Sequence, residues 1–271
     1  MVTSILQKSF RLGVNYIGGL QPRVTHPRNF NMTQTIRLSS ARGFADHGWL
    51  KSFHSFSFGS YYDPNNMGFG NLRVINEDRI APHTGFGRHG HRNMEIVSLV
   101  QKGALGHQDS MGNASTILPG QIQRMTAGTG VEHSEMNQAQ GAETHFLQIW
   151  LLPNAVNLAP EYEQTDVDLS ASQGHLTVIA EPKPAAGQVP RPGCVGLNAD
   201  ARLLYGQFDG AQSHQWQTPA GRLTYVHVIS GQCALDGQPL QTGDAVALTG
   251  PATHCLDQGT SAQVLVFDLA P

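Results

Sequence analysis

No stretch of the chain approaches the roughly 20 consecutive apolar residues that a membrane-spanning helix requires, so helical insertion in a bilayer is not expected. Charge is sparse as well. Only 14% of residues are Asp, Glu, Lys or Arg, and the formal net charge of -3 supplies no basic surface for nucleic acid or anionic lipid. Cysteine is scarce: Cys194, Cys233 and Cys255 are widely spaced, odd in number and lack any CxxC pair. A disulfide framework and a structural zinc site are therefore not expected as organising devices, and a reducing, cytoplasmic setting fits. Cys233 and Cys255 read as small buried apolar residues rather than nucleophiles. The long Glu, Lys and Ala stretches of helical bundles are missing too. In their place stand 30 glycines and 15 prolines, the composition of a turn-rich β protein.

Acidic residues are absent from Met1 to Ala45, a segment that carries Lys8, Arg11, Arg23, Arg28, Arg37 and Arg42. Such a lead has the composition of a transit peptide. However, "GVNYIGGLQPRVTHPRN" is broken by Gly and Pro and makes a poor amphipathic helix. Residues 1–31 are thus expected to be a disordered extension or to precede the true start at Met32.

What the chain does contain is short β-type runs between turn signals. "NLRVIN", "EIVSLV", "HFLQIWLL", "LTVIA", "LTYVHVIS", "AVALT" and "AQVLVFDL" are rich in β-branched, leucine and aromatic residues. "DSMGN", "LPGQ", "AGTG", "LDGQP" and "QTGD" separate them, a rhythm that predicts antiparallel sandwiches or barrels. "HGWLKSF" reads as a short helical or turn segment. Two blocks share one order of strands and glycine turns: "VSLVQKGALGHQDSMGNASTILPGQIQRMTAGTGVEHSEM" and "VHVISGQCALDGQPLQTGDAVALTGPATHCL". That repeat implies two β-barrel domains of related fold. The boundaries it suggests are 32–153 for the first, 154–174 for a linker and 175–271 for the second.

Chemistry concentrates in the first block. In "GFGRHGHRNMEIVSLV", His89 and His91 stand two residues apart, so on a strand both project from one face. His133 and Glu135 in "GTGVEHSEMN" repeat the relation. An isolated HxH pair in a chain with 13 histidines is commonly a solvated pair on a strand. Two such pairs on facing strands would bring three imidazoles and a carboxylate to one point. That donor set suits Fe(II), Mn, Ni, Cu or Zn. Glu95 follows at a spacing that could reach the same lumen, and it reads as a supporting residue rather than a ligand. His107 and Asp109 form a further i, i+2 pair, read as part of a hairpin because "DSMGN" supplies turn chemistry. His227 and His254 in the second block lack an acidic neighbour at the same spacing and read as hydrogen-bonded core or surface residues.

"HGHRNMEIVSLVQKG", "GHQDSMGN", "PGQIQRMTAGTGVEHSEMN" and "HFLQIWLLP" together resemble the pirin family of the cupin superfamily. "HGWLKSFHSFSFGSYYDPNNMGFGNLRVIN" is similar to the corresponding segment of its bacterial members. The resemblance runs from about Gln34 to the C-terminus and is densest between Gly48 and Pro153. It implies an all-β bicupin, two antiparallel jelly-roll barrels packed face to face, with one metal held in the first. The ligands it implies are His89, His91, His133 and Glu135; one departure is Gly90, where pirins often carry Pro.

The implied activity is quercetin 2,3-dioxygenation, which opens the central ring of a flavonol with O2 and releases carbon monoxide. Fe(II) is the first expectation for the metal, with Mn, Ni, Cu, Co or Zn as alternatives. Glu135 is the implied base for the flavonol 3-hydroxyl. The implied partners are a flavonol or another small aromatic enol and O2, acting on a monomer. The competing expectation is a non-enzymatic, iron-dependent redox regulator that binds a protein partner.

Overall fold

The apolar runs picked out in the sequence lie within strands of the computed structural model, which describes residues 32–185, 188–189 and 191–271. The extension at residues 1–31 lies outside the described residues. The strands Leu72–Ile80, Glu95–Lys102 and Thr144–Leu151 carry the first three runs, and Leu176–Pro182, Leu223–Leu235, Ala245–Thr249 and Ala252–Leu269 the rest. The "HGWLKSF" segment divides: His47–Trp49 is a turn, and Leu50–His54 is a strand. Its alternation of buried Leu50, Ser52 and His54 with more exposed Lys51 and Phe53 is the two-residue period of a half-buried strand. No helix among the described residues is long and apolar enough to cross a membrane.

These strands form two β-barrels, the bicupin architecture. The first is made of a seven-stranded sheet, ordered Glu161–Asp166, Gln121–Thr126, Glu95–Lys102, Thr144–Leu151, Leu72–Ile80, Leu50–His54 and Gly43–Asp46. A four-stranded sheet completes it, ordered Gly85–His91, Val131–Asn137, Leu105–Asp109 and Ala114–Ile117. The second barrel is a single nine-stranded sheet, built largely on Leu223–Leu235 and Ala252–Leu269.

Two connections differ from the sequence expectation. Thr33–Arg37 pairs antiparallel with Ala245–Thr249, so a strand assigned to the first domain completes the sheet of the second. Glu161–Asp166, inside the expected linker, pairs with Gln121–Thr126 and extends the first barrel. "EYEQTD" holds no apolar run because it is an edge strand with only one neighbour in its sheet, and charge on an edge discourages unwanted pairing.

Parity along each strand decides which side chains enter the barrel lumen and which enter the joint between barrels. On Glu95–Lys102, Val97 and Leu99 pack into the joint, while Ile96, Ser98 and Val100 face the lumen. The joint is the largest apolar cluster. It unites Leu72, Ile75, Leu147, Ile149 and Leu151 of the first barrel with Tyr225, Leu265, Phe267 and Leu269 of the second. Each such side chain contributes roughly 1.5–3 kcal/mol on full burial, so this face holds the two barrels as one body.

A polar node interrupts the joint. Arg42 Nη1 lies 2.8 Å from Glu77 Oε2, with side chains 6% and 5% exposed. Arg79 and His145 approach the other carboxylate oxygen at 2.9 and 3.0 Å. Burial alone would push the Glu77 carboxyl up, but His145 and Arg42 outweigh it and hold it well below the usual carboxylate range. Nearby, His227 is fully buried with neither ring nitrogen bonded to a described residue. Burial, with Arg42 adding to it, pushes its pKa down to about 4.

The two lumens differ in character. That of the second barrel is apolar, filled by Val226, Val228, Leu235, Val246, Leu248, Val264 and Val266. Beside it, His254 is a buried histidine with a partner, its Nδ1 lying 2.8 Å from Asp236 Oδ2. The lumen of the first barrel is lined by buried polar side chains, which cost free energy unless they are satisfied or used.

Candidate metal centre

The strand Gly85–His91 carries His89 and His91 at alternate positions, and Val131–Asn137 lies antiparallel beside it with Val131 opposite His91 and His133 opposite His89. Direct cross-strand pairing therefore brings the third imidazole to the first two. Beyond His133 the register slips: Glu135 faces Phe86, so the strand Gly85–His91 holds one extra residue, a bulge beside the cluster. Gly85 lets the strands close at that point, since a Cβ there would stand 2.2 Å from the Glu135 carbonyl oxygen. Gly90 is under no such constraint, its nearest neighbour to a built Cβ being 3.8 Å away.

One ring nitrogen each from His89, His91 and His133 lies within 4.8 Å of the other two. The Nε2 atoms of His91 and His133 are buried and have no hydrogen-bond partner. Orphaned buried acceptors of this kind, on rings whose nitrogens cluster, are what a cation about 2.1 Å from each would satisfy. His89 has its Nδ1 fixed 2.8 Å from the Gly87 carbonyl oxygen, which leaves Nε2 free. Burial, reinforced by the neighbouring histidines, drives the His91 pKa down to about 4 and that of His133 to about 2. Both are neutral at pH 7, the form that ligates a metal.

Glu135 is buried in the same cavity but stands apart from the three-nitrogen cluster. Gln148 donates from Nε2 to its Oε2 at 2.8 Å, and Ser98 Oγ lies 3.5 Å from its Oε1. Burial raises its pKa to about 7 against the help of Gln148, and the nearby Asp78 carboxyl adds to the rise. Gln148 in turn accepts from Trp150 Nε1 at 3.1 Å, and Trp150 meets His91 edge to face at 5.0 Å.

Gln148 belongs to a row of lumen-facing polar residues aligned across five strands. Gln123 pairs with Ser98, Ser98 with Gln148, Gln148 with Asn76, and Asn76 with His54. Sequence reasoning missed this row because its members are neighbours only through sheet register. It also missed the position of His107. The hairpin expected there is present, with Asp109 Oδ1 accepting from the Met111 and Asn113 backbone amides. Yet His107 is buried, with Nδ1 3.4 Å from His133 Nδ1 and Nε2 3.2 Å from Asp109 Oδ2. The i, i+2 spacing of His107 and Asp109 was the available signal. Glu95 faces the joint instead, accepting from the Asn198 backbone amide at 2.9 Å. Counting from His91 misleads there because residues 92–94 turn the chain into another sheet, with Asn93 at φ 51°.

A cavity of about 390 Å³ opens onto His89, His91 and Glu135, with Phe58, Phe86 and Trp150 as aromatic walls. This is the size of a small-molecule site.

Comparison with known proteins bears on both barrels. The family model described as Pirin matches residues 35–151, and that of the quercetinase C-terminal cupin domain matches residues 186–269. A protein of Escherichia coli (strain K12) named quercetin 2,3-dioxygenase is 39% identical over 236 residues, covering 87% of this chain and 98% of its own. A pirin-like protein of Caulobacter vibrioides is 34% identical over 228 residues, covering 84% of this chain and 96% of its own. The crystal structure of the bacterial pirin YhhW from Escherichia coli, in complex with nickel(II), superposes with a TM-score of 0.81 at 35% identity. It covers 88% of this chain and 100% of that one.

Proposed function

The chain belongs to the pirin family, and from that premise we propose that it is a metal-dependent dioxygenase that opens the central ring of quercetin-type flavonols. The observation that carries the reading is the meeting of three imidazoles, two with orphaned buried nitrogens, at the wall of an aromatic-lined cavity. His89, His91 and His133 would hold a divalent transition metal, with Glu135 as the fourth donor. Fe(II) is the first assignment, and Ni(II), the ion in the YhhW crystal, heads the alternatives of Mn, Cu, Co and Zn. When bound, the metal supplies a positive charge that favours the deprotonated flavonol and a path for its electron density toward O2.

The residues of the chain do the rest. Glu135 takes the proton of the flavonol 3-hydroxyl, a role suited to a buried carboxylate whose pKa is raised to about 7. Gln148 and Ser98 keep that carboxylate in place. Phe58, Phe86 and Trp150 exclude water and sandwich a flat ring system. His107 and Asp109 fix the orientation of His133 through its Nδ1. In the overall reaction O2 enters the product, the central ring opens and one ring carbon leaves as carbon monoxide.

The test is quercetin turnover under oxygen by protein loaded separately with Fe, Mn, Ni, Cu and Co. Loss of absorbance with release of carbon monoxide, falling at least a hundredfold in Glu135→Gln, is expected. No ring opening with any of these metals would count against the reading. It would favour the regulatory alternative if partner binding differed between Fe(II) and Fe(III).

A further inference from the structure

The cavity holds more buried polarity than a metal and its base require. Where the lumen face continues onto the strands Leu72–Ile80 and Leu50–His54, register aligns His54 with Asn76 and Ser52 with Asp78. All four side chains line the cavity, yet none is more than 5% exposed. His54 Nδ1 meets Asn76 Oδ1 at 2.8 Å, and Ser52 Oγ donates to Asp78 Oδ1. These bonds use one atom of each titratable partner. The second ring nitrogen of His54 and the second carboxyl oxygen of Asp78 have no partner among the described residues.

An aromatic wall links this array to the histidine cluster. His54 lies 5.4 Å from Phe58, Phe58 is edge to face with Trp150 at 5.3 Å, and Trp150 meets His91 at 5.0 Å. Trp150 and Phe58 thus connect the histidine cluster to His54 along the cavity wall. None of the residues lining the cavity is Lys or Arg, so nothing in it favours a carboxylate or phosphate group. An unpaired carboxyl oxygen and an unpaired imidazole nitrogen on the wall of an aromatic-lined cavity instead match neutral hydroxyl groups on an aromatic ring.

We propose that His54 and Asp78 form a second recognition element, which hydrogen-bonds phenolic hydroxyls of the substrate other than the 3-hydroxyl. They thereby select polyhydroxylated flavonols over flavonols that carry only the 3-hydroxyl. Asn76 and Ser52 are positioning residues that hold the two in place. The inference rests on the dioxygenase reading for its ligand class but not for its test, which reads binding.

The experiment is anaerobic titration calorimetry of the full chain loaded with Ni(II), using quercetin and 3-hydroxyflavone as probes, with metal content measured for each variant. Wild-type protein should bind quercetin at least tenfold more tightly than 3-hydroxyflavone. In His54→Phe and in Asp78→Leu that ratio should fall to within about threefold, while metal content stays at the wild-type level. Asp78→Asn, which keeps shape and one acceptor, should retain part of the preference and serves where Asp78→Leu does not fold. A wild-type ratio near one, or a ratio unchanged in the variants, overturns the proposal. Collapse of the ratio in a protein that never opens the quercetin ring would sink the enzymatic reading while upholding this one.

Discussion

Replacing Glu77 by Gln tests how the joint between the barrels is held. The substitution keeps the shape of the side chain but removes the charge that faces Arg42 at 2.8 Å, with Arg79 and His145 on the other oxygen. Arg42 is 6% exposed, so it cannot turn to water for compensation. A buried cation left without its partner costs about 3 kcal/mol, at the lower end of the range because the amide oxygen still accepts a hydrogen bond. The effect should depend on pH in a definite direction. Glu77 is held below its unfolded value, so its contribution is complete above an unfolded pKa of about 4.3 and is lost as pH falls toward the folded one. Guanidinium denaturation of both proteins at pH 7, 5 and 3.5 measures this. The gap should be largest at pH 7, nearly as large at pH 5 and smaller at pH 3.5. Equal stabilities at pH 7, or a gap that widens on acidification, would refute the reasoning.

Two further outcomes follow from the same contacts. Phe267→Ala empties a fully buried position in the inter-barrel cluster and should lower stability by about 3–5 kcal/mol, read as an earlier denaturation midpoint at unchanged slope. His107→Leu removes the partner of His133 Nδ1 and should weaken metal binding about 10–100-fold in competition with a chelator, with the metal-free protein still folded.

Legibility in the sequence followed the range of the interaction. That His89 and His91 share a face was readable because parity along one strand is a local property, and the same holds for His133 and Glu135. The meeting of His133 with the first two, by contrast, depends on strand pairing. Glu95 was misplaced toward the lumen as soon as parity was carried across the turn at Asn93. Long pairings left no trace: nothing near Thr33 announces Thr249 as its partner. The polar row from Gln123 to His54 exists only through register among five strands, so none of its members stood out. The division into two barrels was visible because each block repeats the same turns. What could not be seen was that the first strand described here joins the edge of the second barrel's sheet. The polar first lumen and apolar second lumen were half legible, as histidine pairs in one block and lone histidines in the other.

Metal analysis of purified protein bears most directly on the centre itself. Wild-type chain should carry one equivalent of a divalent transition metal, with X-ray absorption showing imidazole nitrogens about 2.1 Å from it. Single replacement of His89, His91 or His133 by Ala should reduce the content to a small fraction. A full equivalent retained in all three variants, or no metal taken up by the wild type, would contradict the account.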